Sequence, residues 1–454
     1  MQAVTDRLVP PRVTPPAQPL RGLSFLAAFV RNPISVVPQA AYEADFAGYE
    51  PGGRRIAWIT APDMIRQVLL DEREKFQKLS QIRLLSPLLG KGVLTSEGAD
   101  WKWQRQAVAP MFRHQDLMSF VPAFVRAAQD TVARWRARPG VQAVDHDMTQ
   151  ATFDVITGTL LPSADVAMPQ AVERSTAEFQ RAGAWGQLYA VANFPKWVPQ
   201  PGRRMLAHSV RTLRGAVAGV IAERRTHRAA PDDLLGRLMT ARDPETGQAM
   251  NDEQLVDNLL TFYLAGHETT AKGLTWTLYL LARAPAWSAA LGEEAMRVTG
   301  GGDVEAAHIE KLVLTQQVLK ESMRLFPPVP IITRQAIADT SLGGHPVRAG
   351  TAVVVPIYAI HRHAGRWEDP DAFDPTRFSP EREAGIPRYQ YMPFGAGPRI
   401  CIGQAFAMLE ATAMLATFMA RARFALVDGR EPEPVARVTL VPRGGMPLAV
   451  RLRS

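Results

Sequence analysis

The chain has 454 residues, of which 46% are hydrophobic, and it carries a formal net charge of +8. This length and apolar fraction are enough to bury a large core. A single cysteine, Cys401, excludes an internal disulfide and leaves packing, a reactive thiol or a metal thiolate as its roles. The basic residues are dispersed and form no stripe with interleaved aromatic residues, which argues against nucleic acid as a partner. An acidic protein partner or an anionic membrane surface would fit this charge better.

The first 50 residues predict an N-terminal arm and the start of the fold. Prolines cluster between residues 10 and 19, and such clusters favour extended backbone. The apolar stretch 20–30 is too short to span a bilayer and contains Arg21. It has no basic leader or small-residue cleavage site of a signal peptide. We therefore predict a cytoplasmic protein without a transmembrane anchor. Because no linker or internal repeat divides the chain, we also predict one domain over residues 1–454.

The next segments predict a short strand and a helix with a distinctive pair of side chains. Residues 54–60 alternate in the way that is typical of a strand. Trp101 and Arg105 are four residues apart, so on a helix they point to the same side.

The clearest predicted element is a long helix over Asp252–Arg283. Asn251 is a suitable N-cap, acidic residues occupy the first turn, and Pro285 marks the end. At 1.5 Å per residue the helix would be about 48 Å long and would cross the molecule. Its apolar pattern is interrupted by residues 265–270, Ala-Gly-His-Glu-Thr-Thr. A carboxylate at the centre of a buried helix is costly unless it has a function.

The chain after residue 315 predicts a helix, a sharp stop and a small β region. Glu321 and Arg324 are three residues apart on a helix around 316–325 and share a face. Two prolines, Pro327 and Pro328, end this helix. A hairpin turn at 342–345 and strands within 351–356 and 438–452 follow from their glycines and β-branched residues.

The cysteine lies in the segment 394–403, Phe-Gly-Ala-Gly-Pro-Arg-Ile-Cys-Ile-Gly. Gly395 and Gly397 permit a tight turn that brings backbone N–H groups close to the sulfur. A helical pattern begins directly afterwards, so we expect the helix N-terminus and Arg399 to favour a thiolate over a thiol. A cysteine that serves only for packing would not need such a turn.

This segment resembles, position for position, the haem-binding loop of the cytochrome P450 family. The other segments agree with that family in order and spacing from about residue 50 to the end. The resemblance implies a mainly α-helical fold with a small β-rich lobe (α+β) and one long central helix over the haem. It implies haem b (iron protoporphyrin IX) as cofactor, with Cys401 as the axial metal ligand whose thiolate favours O–O cleavage.

The resemblance also implies roles for the central helix. Thr269 corresponds to the hydroxyl that helps to bind and protonate iron-bound dioxygen, and Glu268 to the acid that supplies the protons. His267 occupies a variable position, and we expect it to face away from the haem. Ala265 would lie against the cofactor, as would Phe394 and Gly395 of the cysteine loop.

Further charged residues match family positions. Trp101, Arg105, Arg334 and Arg399 correspond to residues that hold the haem propionates, a task that suits the bidentate guanidinium group. Glu321 and Arg324 would form a buried ion triad with Arg377. In the segment 373–378, Thr376 replaces a more usual glutamate outside the triad.

We therefore predict a monooxygenase that hydroxylates or epoxidises a large apolar substrate such as a fatty acid, terpenoid, carotenoid or steroid. A peroxide-dependent peroxygenase, a hydroperoxide isomerase and a haem sensor are the alternatives, but they do not need the Glu268–Thr269 pair. Variable access segments fall near 79–95 and 175–210. Apolar residues there predict the size and polarity of the substrate: Leu79, Ile82, Leu84, Leu85, Leu88, Leu89, Phe179, Trp185, Tyr189, Phe194 and Trp197.

The chain contains no flavin, nicotinamide or iron–sulfur motif, so electrons from NAD(P)H must arrive through separate proteins. We expect a ferredoxin and a ferredoxin reductase as partners of a monomeric enzyme. The docking face would lie near Cys401, where Lys102, Arg113 and Arg399 are the basic residues.

Overall fold

The computed structural model describes residues 7–50, 55–160, 186, 188–190, 202–226 and 233–453. Helices predominate in these residues and the strands are short, which confirms the predicted α+β class. The helices are α1 (Gly22–Arg31), α2 (Pro62–Arg66), α3 (Leu79–Leu89), α4 (Gly98–Val108), α5 (His114–Met118), α6 (Val121–Ala137), α7 (Val144–Leu160), α8 (Arg203–Thr226), α9 (Leu234–Thr240), α10 (Asp252–Arg283), α11 (Pro285–Thr299), α12 (Val313–Leu325), α13 (Ile357–Ile360), α14 (Pro380–Glu383) and α15 (Gln404–Arg421). The strands are β1 (Phe46–Tyr49), β2 (Ile56–Ile59), β3 (Phe76–Gln77), β4 (Gly140–Ala143), β5 (Ile332–Ala336), β6 (Thr340–Leu342), β7 (His345–Val347), β8 (Ala352–Val355), β9 (Ala422–Leu426), β10 (Pro434–Ala436), β11 (Leu440–Pro442) and β12 (Pro447–Leu452).

The central helix α10 has the predicted bounds. Asn251 accepts a hydrogen bond from the Gln254 N–H, and the Gln254 side chain accepts one from the Asn251 N–H, so a capping box fixes the N-terminus. Pro285 begins the next helix and stops α10. The helix packs against α7, α8, α12 and α15, and its Trp276 ring stacks on Phe326 at 4.1 Å between centroids. These contacts place the middle of α10 inside the molecule.

The cysteine helix α15 is the second buried helix. It packs between α6, α11 and α12, and almost all of its side chains from Phe406 to Met419 are buried. Its N-terminus follows the cysteine loop directly, since Gly403 is the residue before the first helical turn. The position of Cys401 is therefore tied to the main core through this helix.

The β region consists of small sheets. The largest has the strand order β1-β2-β8-β5-β3, in which only the β2–β8 pair is parallel. Strands β4, β12 and β9 form an antiparallel sheet, and two hairpins pair β6 with β7 and β10 with β11. The predicted hairpin turn at 342–345 is confirmed, because Leu342 pairs with His345 across Gly343 and Gly344.

The N-terminal segment contains a helix that the sequence pattern did not predict. Residues 7–19 include no helix or strand, as expected for the proline-rich arm, but α1 follows them. None of the α1 side chains is buried. Among the described helices, none is both long enough and apolar enough to cross a membrane.

Candidate active site

The cysteine loop is closed by a hydrogen bond from the Cys401 N–H to the Phe394 carbonyl oxygen, at 3.0 Å. Gly395 and Gly397 have φ values of 75° and 70°, which favour glycine. A Cβ at Gly397 would lie 2.2 Å from the backbone oxygen of Leu69, so this glycine is also required by space. The loop therefore holds the sulfur in one place against the preceding chain.

Cys401 lines the large cavity of the molecule and is exposed to it. Burial raises its pKa, while the Gly403 N–H and the charge of Arg105 lower it. The expectation that the loop by itself favours a thiolate is therefore wrong in its net direction. Coordination to a metal would have to remove the proton, as thiol ligands require.

The middle of α10 lines the same cavity. Ala265, Gly266, Glu268, Thr269 and Thr270 all contribute to the wall. The Thr269 hydroxyl donates to the Ala265 carbonyl oxygen at 2.8 Å, which holds it against the helix. The structure thus brings the predicted acid and alcohol into one cavity with Cys401.

Glu268 is held from outside the helix. It is 7% exposed, and its Oε1 accepts a hydrogen bond of 2.6 Å from the Thr439 hydroxyl, which also lines the cavity. Sequence reasoning missed Thr439, because only folding brings the turn between β10 and β11 to α10.

His267 points away from the cavity, as predicted. Its ring packs edge-on against Phe153 of α7 at 5.5 Å between centroids, and burial lowers its pKa. The Thr152 hydroxyl donates to the His267 carbonyl oxygen at 2.9 Å. This residue therefore joins α10 to α7, and it does not line the cavity.

The cavity has a volume of about 1290 Å³, larger than the roughly 300–1,000 Å³ of an ordinary ligand pocket. Of the predicted access residues, Leu84, Leu85, Leu88 and Leu89 line it. Leu79, Ile82 and Tyr189 do not line it, although they belong to the described chain. The remaining four predictions lie outside the described residues: Phe179, Trp185, Phe194 and Trp197.

A cluster of cations occupies one edge of the cavity. The Arg399 guanidinium lies 3.9 Å from the centre of the Trp101 ring, and the Arg105 guanidinium lies 6.0 Å from it. Arg399 also donates to Glu97 at 2.8 Å and to the Ser96 carbonyl oxygen at 2.9 Å. Burial lowers the pKa of Arg105 and lowers that of Arg399 to about 10.

Two further cations complete this cluster. Arg334 of β5 donates to the Thr333 carbonyl oxygen at 2.9 Å, and burial lowers its pKa to about 10. Lys78, which sequence reasoning missed, donates to the Leu94 carbonyl oxygen at 3.0 Å. Burial, followed by the charges of Arg334 and Arg399, lowers the pKa of Lys78 to about 7.

These residues fit a group that carries two carboxylates. Four cationic side chains line one edge of the cavity, and Glu97 is the one carboxylate whose charge raises the pKa of Lys78. Buried charges of one sign repel one another unless a counter-charge joins them. The haem propionates would supply this counter-charge, and the loop of Cys401 would face the iron.

The predicted ion triad lies behind the cavity. Glu321 and Arg324 are completely buried, and their bidentate pair has N–O distances of 2.7 and 2.8 Å. Arg324 also donates to the carbonyl oxygens of His361, Pro370 and Ala372. Arg377 is 3.5 Å from Glu321, and its Nε makes no hydrogen bond. The third member is therefore close, but it is bound more loosely than the other two.

Comparisons with known proteins agree with this geometry. The family model for cytochrome P450 matches residues 14–446. Cyclooctatin synthase from Streptomyces melanosporofaciens is 33% identical over 94% of this chain and 93% of its own length. Cyclooctat-9-en-7-ol 5-monooxygenase from the same organism is 30% identical over 91% and 90%, respectively. The crystal structure of a cytochrome P450DA heme domain superimposes with a TM-score of 0.84, at 26% identity, over 97% of this chain and 98% of that one.

Proposed function

The chain belongs to the cytochrome P450 family of haem-thiolate monooxygenases, and we propose that it oxidises a large apolar substrate of the terpenoid class. The observation that carries this proposal is the cavity shared by Cys401 and the Glu268–Thr269 pair. When bound there, the haem would supply the chemistry of dioxygen activation.

The residues of the chain hold the cofactor and move protons in this proposal. Trp101, Arg105, Arg334 and Arg399 bind the propionates, and Lys78 joins them. Ala265, Phe394 and Gly395 line the cavity where the ring would lie. Cys401 provides the sulfur ligand, and its thiol loses a proton when it binds the metal.

Proton delivery is the role of the middle of α10, where Glu268 and Thr269 line the cavity. Glu268 donates a proton toward the cavity, and the Thr269 hydroxyl passes protons at the helix surface. The apolar walls around them exclude bulk water, which limits the number of competing acceptors.

The substrate class rests on the cavity and on a relative. The wall contributed by α3 and α10 includes five leucines, Phe262 and several small side chains, so an apolar molecule would bury its surface there. The similar Streptomyces monooxygenase is named for cyclooctat-9-en-7-ol, an alkenol. Among fatty acids, terpenoids, carotenoids and steroids, this favours a terpenoid.

We further propose that the protein is a single-domain, cytoplasmic monomer. It receives electrons from NAD(P)H through a ferredoxin reductase and a ferredoxin. Lys102 and Arg113 are exposed on and just after α4, which lies beside the cysteine loop. Lys102 is 3.5 Å from Glu245, an exposed pair that a partner could displace. Arg399 is bonded to Glu97 and is not available for docking.

Turnover of a terpenoid panel with a ferredoxin, its reductase and NADPH tests this proposal. We expect a substrate-induced Soret shift and an oxygenated product, and we expect the rate to fall as ionic strength rises. Lys102→Glu should slow ferredoxin-driven reduction and leave dithionite reduction unchanged. Turnover with peroxide but not with dioxygen and NADPH would favour the peroxygenase alternative instead.

A further inference from the structure

Thr439 contacts the acid Glu268 from a distant part of the chain. It lies in the turn between β10 and β11, is 3% exposed, and belongs to the cavity wall. Its hydroxyl donates to Glu268 Oε1 at 2.6 Å, within the usual range for a hydroxyl donor. Most side-chain hydrogen bonds go to the backbone or to water. A bond to the side chain that supplies protons therefore points to a function for this hydroxyl.

The strand before Thr439 is fixed by a single side chain, that of Asn32. Asn32 donates to the Pro434 carbonyl oxygen and accepts from the Ala436 N–H, both at 3.0 Å. It is buried and does not line the cavity. The position of β10 is therefore set by the residue that follows α1, not by contact with a substrate.

The residue after Thr439 is fixed to the central helix. The Leu440 N–H donates to the Pro328 carbonyl oxygen, and the Leu440 carbonyl oxygen accepts from the Trp276 indole N–H, both at 2.9 Å. Trp276 and Glu268 both belong to α10. The backbone that carries Thr439 is thus bonded to the same helix that carries the acid, so the distance between the hydroxyl and the carboxyl group is set by the fold.

The Thr439 hydroxyl restricts what Glu268 can do in the cavity. A glutamate side chain is flexible, and beside a cavity of about 1290 Å³ it has room to move. The bond to Thr439 keeps Oε1 at the wall. Because Oε1 accepts this bond, a proton on the carboxyl group is favoured on Oε2. Oε2 is then the oxygen that gives the proton.

We propose that Thr439 is a positioning residue, which holds Glu268 in the conformation from which Oε2 supplies a proton to the cavity. This inference rests on the proposed function, because it concerns the acid of that reaction. Thr439 keeps its own hydroxyl proton throughout. The proton that leaves is the one on Glu268, and no electrons move in this step.

Infrared spectroscopy of the resting protein gives a test that does not depend on turnover. The bands of the Glu268 carboxyl group are those lost in Glu268→Gln. They should shift in Thr439→Val, which replaces the hydroxyl by a methyl group, and should return close to their wild-type positions in Thr439→Ser. Unshifted bands in Thr439→Val would show that the hydroxyl does not hold the acid and would overturn the proposal.

Coupling of electrons to product, measured with the terpenoid that is turned over best, gives the second test. Thr439→Val should raise the share of electrons lost as peroxide several-fold, whereas Thr439→Ser should retain most of the wild-type coupling. Wild-type coupling in Thr439→Val, or an equal loss in both variants, would refute a role for the hydroxyl. If Thr439→Val does not fold, Thr439→Ala takes its place in both tests.

A double variant separates positioning of the acid from contact with the substrate. If Thr439 acts through Glu268, Thr439→Val should not lower coupling further when Glu268 is already replaced by glutamine. Losses that add as free energies would show that Thr439 acts independently of the acid, and would overturn the proposal.

The same samples separate this inference from the proposed function. All variants should retain the red-shifted ferrous–CO band of thiolate ligation, since none of the substituted residues is the iron ligand. A wild-type protein without that band, or without product, would contradict the proposed function. A wild type that forms product while Thr439→Val remains fully coupled would contradict this inference alone.

Discussion

Replacement of Lys78 should remove the uptake of one proton that accompanies haem binding above about pH 7. Lys78 is 8% exposed, and burial lowers its pKa from 10.5 to about 7. A lysine whose pKa is lowered is charged below that value and neutral above it, so in the haem-free protein Lys78 is largely neutral at about pH 8. A propionate beside it would favour the charged form. Haem binding above about pH 7 should therefore take up a proton at this side chain.

The size of the effect follows from this proton. Each unit of pH above about 7 should weaken haem binding by the wild type tenfold, or about 1.4 kcal/mol, relative to Lys78→Arg. The arginine variant is the matched control because its guanidinium stays charged throughout. Cys401 and the haem itself titrate in both proteins, so their contributions cancel in the ratio of the two affinities.

The assay is a titration of the haem-free proteins with haemin, followed by the Soret absorbance, at several pH values between about 6 and 9. The affinity ratio of Lys78→Arg to wild type should be flat below about pH 7 and should rise above it. Lys78→Met, which carries no charge at any pH, should bind haem more weakly at the acidic end. Parallel pH curves for wild type and Lys78→Arg would show that Lys78 does not change its charge when haem binds.

Three further outcomes are expected. Cys401→His should abolish the thiolate-type red shift of the ferrous–CO Soret band, and an unchanged band would identify another ligand. Arg324→Ala should lower the free energy of unfolding by about 3–5 kcal/mol in urea titrations of the haem-bound protein, because Glu321 would lose its bidentate partner inside the core; a loss under about 1 kcal/mol would be typical of a surface pair. Thr269→Ala should still bind substrate and consume NAD(P)H, but with more peroxide and less product, and unchanged coupling would remove Thr269 from proton delivery.

Features that depend on local chemistry could be predicted from the sequence. The bounds of α10 follow from an N-cap, acidic residues and a proline, which act within one turn of the helix end. The turn of the cysteine loop follows from glycines whose backbone angles other residues rarely adopt. The segments of β2, β8 and the β6–β7 hairpin could likewise be located, but the pairing of β12 with β4 and β9 could not. Pairing between distant strands depends on the whole fold.

Features that depend on burial of polar groups could not be predicted. Lys78 looks like a surface lysine in the sequence. Its low pKa arises first from its burial in the folded protein and then from the charges of Arg334 and Arg399, which fold next to it. Thr439 reaches Glu268 across 171 positions in the chain. The pKa of Cys401 shifts opposite to the expected direction for the same reason. The N–H group that lowers this pKa is close in the chain, whereas burial, which raises it more, arises only in the folded protein.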